Sequence, residues 1–208
     1  MSKREIRGSQ RISKSKGKRQ EFRKILIATE GVNTEPQYFE KFTAFLKARA
    51  VRIVRVKPVG LGKDPLAVVK EADRRKREEQ RNGDPFDEVW CVVDVDEHTN
   101  LEAACIEAKH LRIDIAISSP CFEIWLVWHF ENRSAWADAT SLARTLKRWG
   151  FVDKSVPADF PYVNYGVALD RAAKCEKVII KHAPPNPSSS VSSLVNALVK
   201  AHTESRKS

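Results

Sequence analysis

The stretch from Glu88 to His98, EVWCVVDVDEH, constrains the fold of this chain more than any other, because a run of apolar, β-favouring residues in it stops abruptly at carboxylates. Val89, Trp90, Cys91, Val92 and Val93 form an unbroken apolar block, the pattern of a strand buried on both faces of a parallel sheet. Asp94, Asp96 and Glu97 then fall at the strand's carboxyl end, the edge at which open α/β sheets bind ligands. Carboxylates at alternate positions can place two oxygen ligands on one hard divalent cation, so Asp94 and Asp96 point to magnesium (or manganese). The same pattern also serves as ordinary turn chemistry and helix capping.

A second stretch repeats the design. Lys24 to Gly31, KILIATEG, is an apolar block running into Glu30 and a glycine. The following Asn33-Thr34-Glu35-Pro36 reads as a helix start, with Thr34 as cap, Pro36 in the first turn and Glu35 complementing the helix dipole. Glu30 therefore belongs to a strand-to-helix turn. If the two strands are neighbours in one sheet, Glu30, Asp94 and Asp96 converge on one point.

An apolar strand ending in Glu-Gly, followed downstream by one ending in Asp-x-Asp, resembles the Toprim fold of topoisomerases, primases and overcoming-lysogenization-defect nucleases. More closely, TEGVNTEPQYF, VVDVDEH, SSPCFEIWLVWHF and NPSSSV, in that order from Thr29 to Val191, resemble the RloB family of bacterial defence-associated proteins. The resemblance implies a magnesium-dependent, Toprim-like nucleolytic site, with Glu30, Asp94 and Asp96 at the matching positions as metal ligands and catalytic groups. It also implies defence against phage, with transfer RNA or DNA as target.

The chain of 208 residues suffices for one compact domain plus added elements, and its 42% apolar content fits a soluble protein. No apolar run reaches the roughly 18 residues of a membrane span and no signal-peptide core follows the basic start, so a cytoplasmic protein is expected. Cys91, Cys105, Cys121 and Cys175 are scattered without a Cys-x-x-Cys motif and read as reduced and structural. Of the formal charge of +10, residues 1–24 carry +8, with ten Lys or Arg against Glu5 and Glu21. Such a tail, short of apolar groups, is expected to be mobile, and reads either as a phosphate-binding arm or as a solubilising extension.

Along the rest of the chain, Glu35 to Arg49 is expected as a helix with Tyr38, Phe39, Phe42, Phe45 and Leu46 in a core-facing stripe, and Val51 to Val56 as a strand, with edge placement the natural one. PVGLGKDP is a connector without the full phosphate-loop spacing, although Lys63 is a candidate backbone-phosphate contact. Asp64 is expected to cap a helix over Pro65 to Gln80, where Arg74, Arg75 and Arg77 are candidate nucleic-acid contacts whose field is weakened by interleaved acids. A helix over Leu101 to His110, a strand over Arg112 to Ile117 and a helix over Cys121 to Phe130 follow. Glu123, in the first turn of that last helix, reads either as a dipole-complementing carboxylate or as a further member of the metal site. His129, among Trp125, Trp128 and Phe130, reads as a satisfied core histidine.

The remainder is expected to be helical over Ala137 to Trp149, Val167 to His182 and Val191 to His202, with Ser190 capping the last helix. Lys154, Tyr162, Tyr165, Arg171 and Lys174 are candidate contacts there, each with ordinary surface exposure as the plainer alternative; Arg171 and Lys174 join Lys63 and Arg74 as candidate nucleic-acid contacts. The whole is an α/β protein: a basic tail (1–22), a Toprim-like core of mainly parallel sheet flanked by helices (23–132), and a helical C-terminal region packed on it (133–208). The expected function is metal-dependent cleavage of nucleic acid, with a defence-system partner protein and self-association both compatible. The alternatives are a catalytically silent nucleic-acid-binding or regulatory module, and another Toprim reaction such as strand passage or nucleotide polymerisation.

Overall fold

The computed structural model describes residues 23–48, 50–55, 64–95, 100–175 and 184–205. The expectations placed on the basic tail, Lys63, Asp96 and Glu97 lie outside these residues. The sheet has five strands in the order β2-β1-β3-β4-β5. β1 (Ile25–Thr29), β2 (Val51–Arg55), β3 (Glu88–Asp94) and β4 (Asp114–Ser119) are parallel, and the short β5 (Ser188–Ser189) runs antiparallel to β4. This is the mainly parallel, helix-flanked α/β architecture expected from the alternation of strand and helix patterns, and it is consistent with a Toprim-like fold.

Two cores lie on opposite faces of the sheet, because successive side chains of a strand alternate sides. Ile25, Ile27, Trp90 and Val92 face one core with Tyr38, Phe39 and Phe42 of α1 (Thr34–Leu46). Leu26, Ala28, Val89, Cys91 and Val93 face the other with Val68, Val69 and Ala72 of α2 (Pro65–Arg81) and Ala104 and Ala108 of α3 (Leu101–Leu111). Such burial on both faces is why the β3 sequence is a continuous apolar run.

The α1 face also receives α4 (Glu123–Val127), α5 (Ala139–Arg148), α6 (Tyr165–Cys175) and α7 (Val191–Ser205), through side chains that include Trp125, Leu142, Ala168 and Leu194. The C-terminal helices therefore share one core with the sheet. No helix among the described residues is long and apolar enough to cross a membrane.

Because right-handed crossovers place the helix on one face when the chain moves left along the sheet and on the other when it moves right, α1 and α2 fall on opposite faces. The chain leaves β1 towards β2 and leaves β3 towards β4, so its connections part between β1 and β3. Such a switch point opens a crevice at the strands' carboxyl ends.

Local capping accounts for several differences from the expected boundaries. Asp64 caps α2 as expected, accepting from the Leu66 N–H at 3.0 Å. Thr34 does not cap α1; it is the first helical residue, and its hydroxyl donates to the Lys154 carbonyl at 3.0 Å. α1 stops at Leu46 because Lys47 turns left-handed. Arg112 does the same after α3, which delays β4 to Asp114; the strand runs on to Ser119. The helix expected over Cys121 to Phe130 is only Glu123–Val127. α5 starts at Ala139 behind a capping box of Asp138 and Ser141. Ser190 spends its hydroxyl on the Ile117 N–H at 2.8 Å, tying the start of α7 to β4.

His129 is the satisfied core histidine expected. Its Nδ1 lies 3.0 Å from the Trp125 carbonyl, which can only accept, so that nitrogen carries the proton and Nε2 accepts from the Tyr38 hydroxyl at 3.3 Å. Burial holds its pKa down at about 4, against an ordinary 6.5. The unfolded chain thus takes up this proton at a higher pH than the folded one, and stability falls as pH drops from 6.5 towards 4. Urea unfolding across this range should show a loss on the order of 3 kcal/mol in the wild type beyond that of a His129→Gln variant, with the difference between them flat above pH 7.5.

Candidate active site

The carboxyl ends of β1 and β3 bring Glu30 and Asp94 together, each only 3% exposed. The strands are hydrogen-bonded neighbours, with Thr29 opposite Val92, and the Glu30 N–H extends the ladder to the Val92 carbonyl at 3.1 Å. The Glu30 carboxylate accepts the Asp94 N–H at 3.3 Å, and Asp94 Oδ1 accepts the Phe122 N–H at 2.8 Å. Backbone donors thereby orient both carboxylates, as a buried negative charge requires. Thr29 Oγ1 closes the turn after β1 by donating to the Gly31 carbonyl at 2.9 Å.

These residues open into a cleft of about 190 Å³ that is also lined by Val32, Glu35, Cys121, Glu123, Ala139 and Lys154. The two remaining acids enter from helix starts. Glu35 is in the first turn of α1 and Glu123 begins α4, so dipole complementation and a place on the cleft wall coexist in both. The Glu35 carboxylate folds back over Gly31 into the space that a Cβ there would take, so a larger residue at 31 would have to displace that side chain. The Cys121 thiol is pushed well above its ordinary range by burial first and then by the negative charges of Glu123 and Asp94, so it stays protonated. All four cysteines are free.

Among the described residues, no group of three or more His, Cys, Asp or Glu is arranged to hold a metal ion. Glu30 and Asp94 nonetheless supply an all-oxygen donor pair of the kind that suits a hard cation, and magnesium commonly takes only one or two carboxylates, completing its shell with water and substrate phosphate. Asp96 follows β3 outside the described residues.

The other expected contacts lie elsewhere. Arg74 is bound to Glu71 at 2.7 Å on α2, and Arg75 and Arg77 are similarly engaged by Glu71 and Asp73. Together Arg74 and Arg75 hold the Glu71 carboxyl down at about 2. Arg171 is half-buried, and its guanidinium donates to the Trp128 carbonyl at the end of α4. Lys174 is exposed on α6 and is absent from the cleft lining. Glu35 and Lys154 are the wall residues that sequence reasoning undervalued. The available signal for Glu35 was its five-residue spacing from Glu30 across a turn.

A parallel sheet whose connections part above two buried carboxylates defines an α/β protein with an acidic cleft at its switch point. The chain belongs to the RloB-like protein family, whose model matches residues 25–198. No curated protein and no solved structure matches it.

The fit of Glu35 over Gly31 can be tested as a coupled pair. Gly31→Ala should destabilise the fold by about 0.5–1.5 kcal/mol by displacing the Glu35 carboxylate, whereas the same change in a Glu35→Ala background should be close to neutral. Denaturant titration of the four proteins of the cycle measures the coupling.

Proposed function

We propose that the protein is a metal-dependent nuclease of the cytoplasm that cleaves phosphodiester bonds in RNA such as transfer RNA, or in DNA, as part of defence against phage. The observation that carries the proposal is the burial of Glu30 and Asp94 side by side at the switch point of a parallel sheet, within an open acidic cleft. Neither carboxylate is placed where packing alone would favour a charge, and desolvated acids gathered in a cleft are a mark of functional sites.

Glu30 and Asp94 are the residues that would hold magnesium or manganese, together with Asp96 from the segment after β3. A cation bound there supplies charge neutralisation at the scissile phosphate and a more acidic water. Glu30 completes the site as a ligand or as the base whose carboxylate receives the proton of the attacking water. Glu123, also on the cleft wall, would orient a bound water or add a further ligand. The backbone bonds from Asp94 and Phe122 keep the two carboxylates from rotating away, so little reorganisation is needed when the substrate arrives.

A labelled panel of total transfer RNA, unstructured RNA, single-stranded DNA and plasmid, offered with magnesium or manganese, tests the reading. Cleavage is expected in the wild type, should vanish on chelation, and should fall by at least about 10²-fold in Glu30→Gln and in the double Asp94→Asn/Asp96→Asn variant. Retained cleavage in both variants would move the reaction to another site. A folded, metal-supplied wild type that binds one of these nucleic acids but cleaves none would instead identify a binding or regulatory module.

A further inference from the structure

We infer that Lys154 is the phosphate-contacting residue of this cleft, seating the backbone of a nucleic-acid substrate against the carboxylates; the inference rests on the nuclease reading above. Among the residues lining the cleft, four are carboxylates (Glu30, Glu35, Asp94 and Glu123) and Lys154 is the one cation. A phosphodiester entering such a cleft meets the repulsion of these carboxylates. A bound divalent cation offsets part of it, and a positively charged side chain on the wall is the further element that a polyanionic substrate calls for.

The way the chain presents Lys154 differs from that of an ordinary surface lysine. It occupies a tight reversal closed by the Val152–Ser155 bridge, in which Asp153 and Lys154 both adopt left-handed backbone, with φ of 47° and 61°. Two successive positive-φ residues are the geometry of the turn that favours Asn-Gly, and neither residue here is glycine. The reversal is also fastened to α1 at three points. Thr34 Oγ1 donates to the Lys154 carbonyl at 3.0 Å, Lys41 Nζ to the Val156 carbonyl at 2.7 Å, and the Val156 N–H to Gln37 Oε1 at 3.1 Å. Among the described residues the Lys154 ammonium forms no hydrogen bond or ion pair, in contrast with Lys24, Arg52, Arg74 and Arg77, each of which is engaged by an acid. An anchored backbone thus carries an uncommitted cation to the rim of an acidic cleft. The contact would be with a non-bridging phosphate oxygen, independent of base identity, so Lys154 contributes affinity and register but no sequence preference.

The test separates charge at this position from the fold and from nuclease activity itself. Binding of fluorescein-labelled single-stranded RNA and DNA is followed by anisotropy between 50 and 200 mM salt, in full-length Glu30→Gln protein with magnesium present. Into that background are placed Lys154→Met, Lys154→Gly, Lys154→Arg and, as a charge control remote from the cleft on the last turn of α5, Lys147→Met. Lys154→Met and Lys154→Gly should each weaken binding about tenfold and flatten the slope of log affinity against log salt by about 0.7, the signature of one lost phosphate contact. Lys154→Arg should keep the slope, and Lys147→Met should change neither quantity. Because glycine relieves left-handed backbone, Lys154→Gly should also melt at the same or a higher temperature, a combination that loss of a structural contact cannot produce. Unchanged affinity and slope in Lys154→Met, in a protein whose parent binds and whose wild type cleaves, would overturn the inference and leave the nuclease reading intact. Absence of both binding and cleavage in the proteins that retain Lys154 would overturn the two together.

Discussion

The hydrogen bond from the Glu30 N–H to the Val92 carbonyl, at 3.1 Å, extends the β1–β3 ladder beyond the last residue of β1, and the site depends on it. It fixes where the chain may turn after Thr29, and so how far the Glu30 side chain reaches along its neighbour. From that position the carboxylate meets the Asp94 N–H, and Asp94 in turn meets the N–H of Phe122. Removing two carboxylates from water is costly unless polar donors replace it. Here the donors are backbone amides of rigid elements, which lose little freedom on engagement. The surrounding layers follow from the same requirement: β1 and β3 can remain this deep only if helices cover both faces, as α1 and its C-terminal companions do on one and α2 and α3 on the other.

The four sequence blocks scattered from Thr29 to Val191 become one neighbourhood in space. Glu30 of the first touches Asp94 of the second, which accepts from Phe122 of the third. The hydroxyls of Ser118 and Ser189 bond at 2.8 Å, joining the third to the fourth, and the Asn186 side chain clasps the backbone of Ala137 through both its oxygen, at 3.1 Å, and its nitrogen, at 2.8 Å. The serine-rich block is therefore a seam. It pairs β5 with the end of β4 and starts α7 against the sheet, holding the C-terminal helices close to the carboxyl edge.

Much of this was legible in sequence because it is local or periodic. Burial on both faces writes itself into β3 as an unbroken apolar block, and the stripe of Tyr38, Phe39, Phe42 and Leu46 declares the buried face of α1, although Phe45, expected in the same stripe, is exposed. Two acids at strand ends were recognisable as candidates, although only the pairing of β1 with β3 brings them together. What escaped depends on contacts distant in sequence. β5 is two serines whose strand character comes entirely from Ser118 and Ser119, some seventy residues away, and no propensity announces it. The brevity of α4 and the engagement of Arg171 are one fact seen twice, since the guanidinium satisfies the Trp128 carbonyl where the helix ends. The engagement of Arg74 by Glu71 is by contrast local, and the interleaved acids of α2 already announced it.

The cleft divides its labour between two regions of the chain. Its buried acids stand at the ends of sheet strands, where displacement would break ladder bonds. Its cationic rim comes from the reversal between α5 and α6, in the C-terminal region, and is held to the core by side-chain bonds to α1. Those bonds are individually worth only about 0.5–1.5 kcal/mol, against the cooperative cost of disrupting a central strand. The rim can thus vary in sequence and position without disturbing the acids. A parallel sheet that fixes the buried acids, beside an independently fastened loop, allows the rim of the cleft to change while the pair of carboxylates is retained.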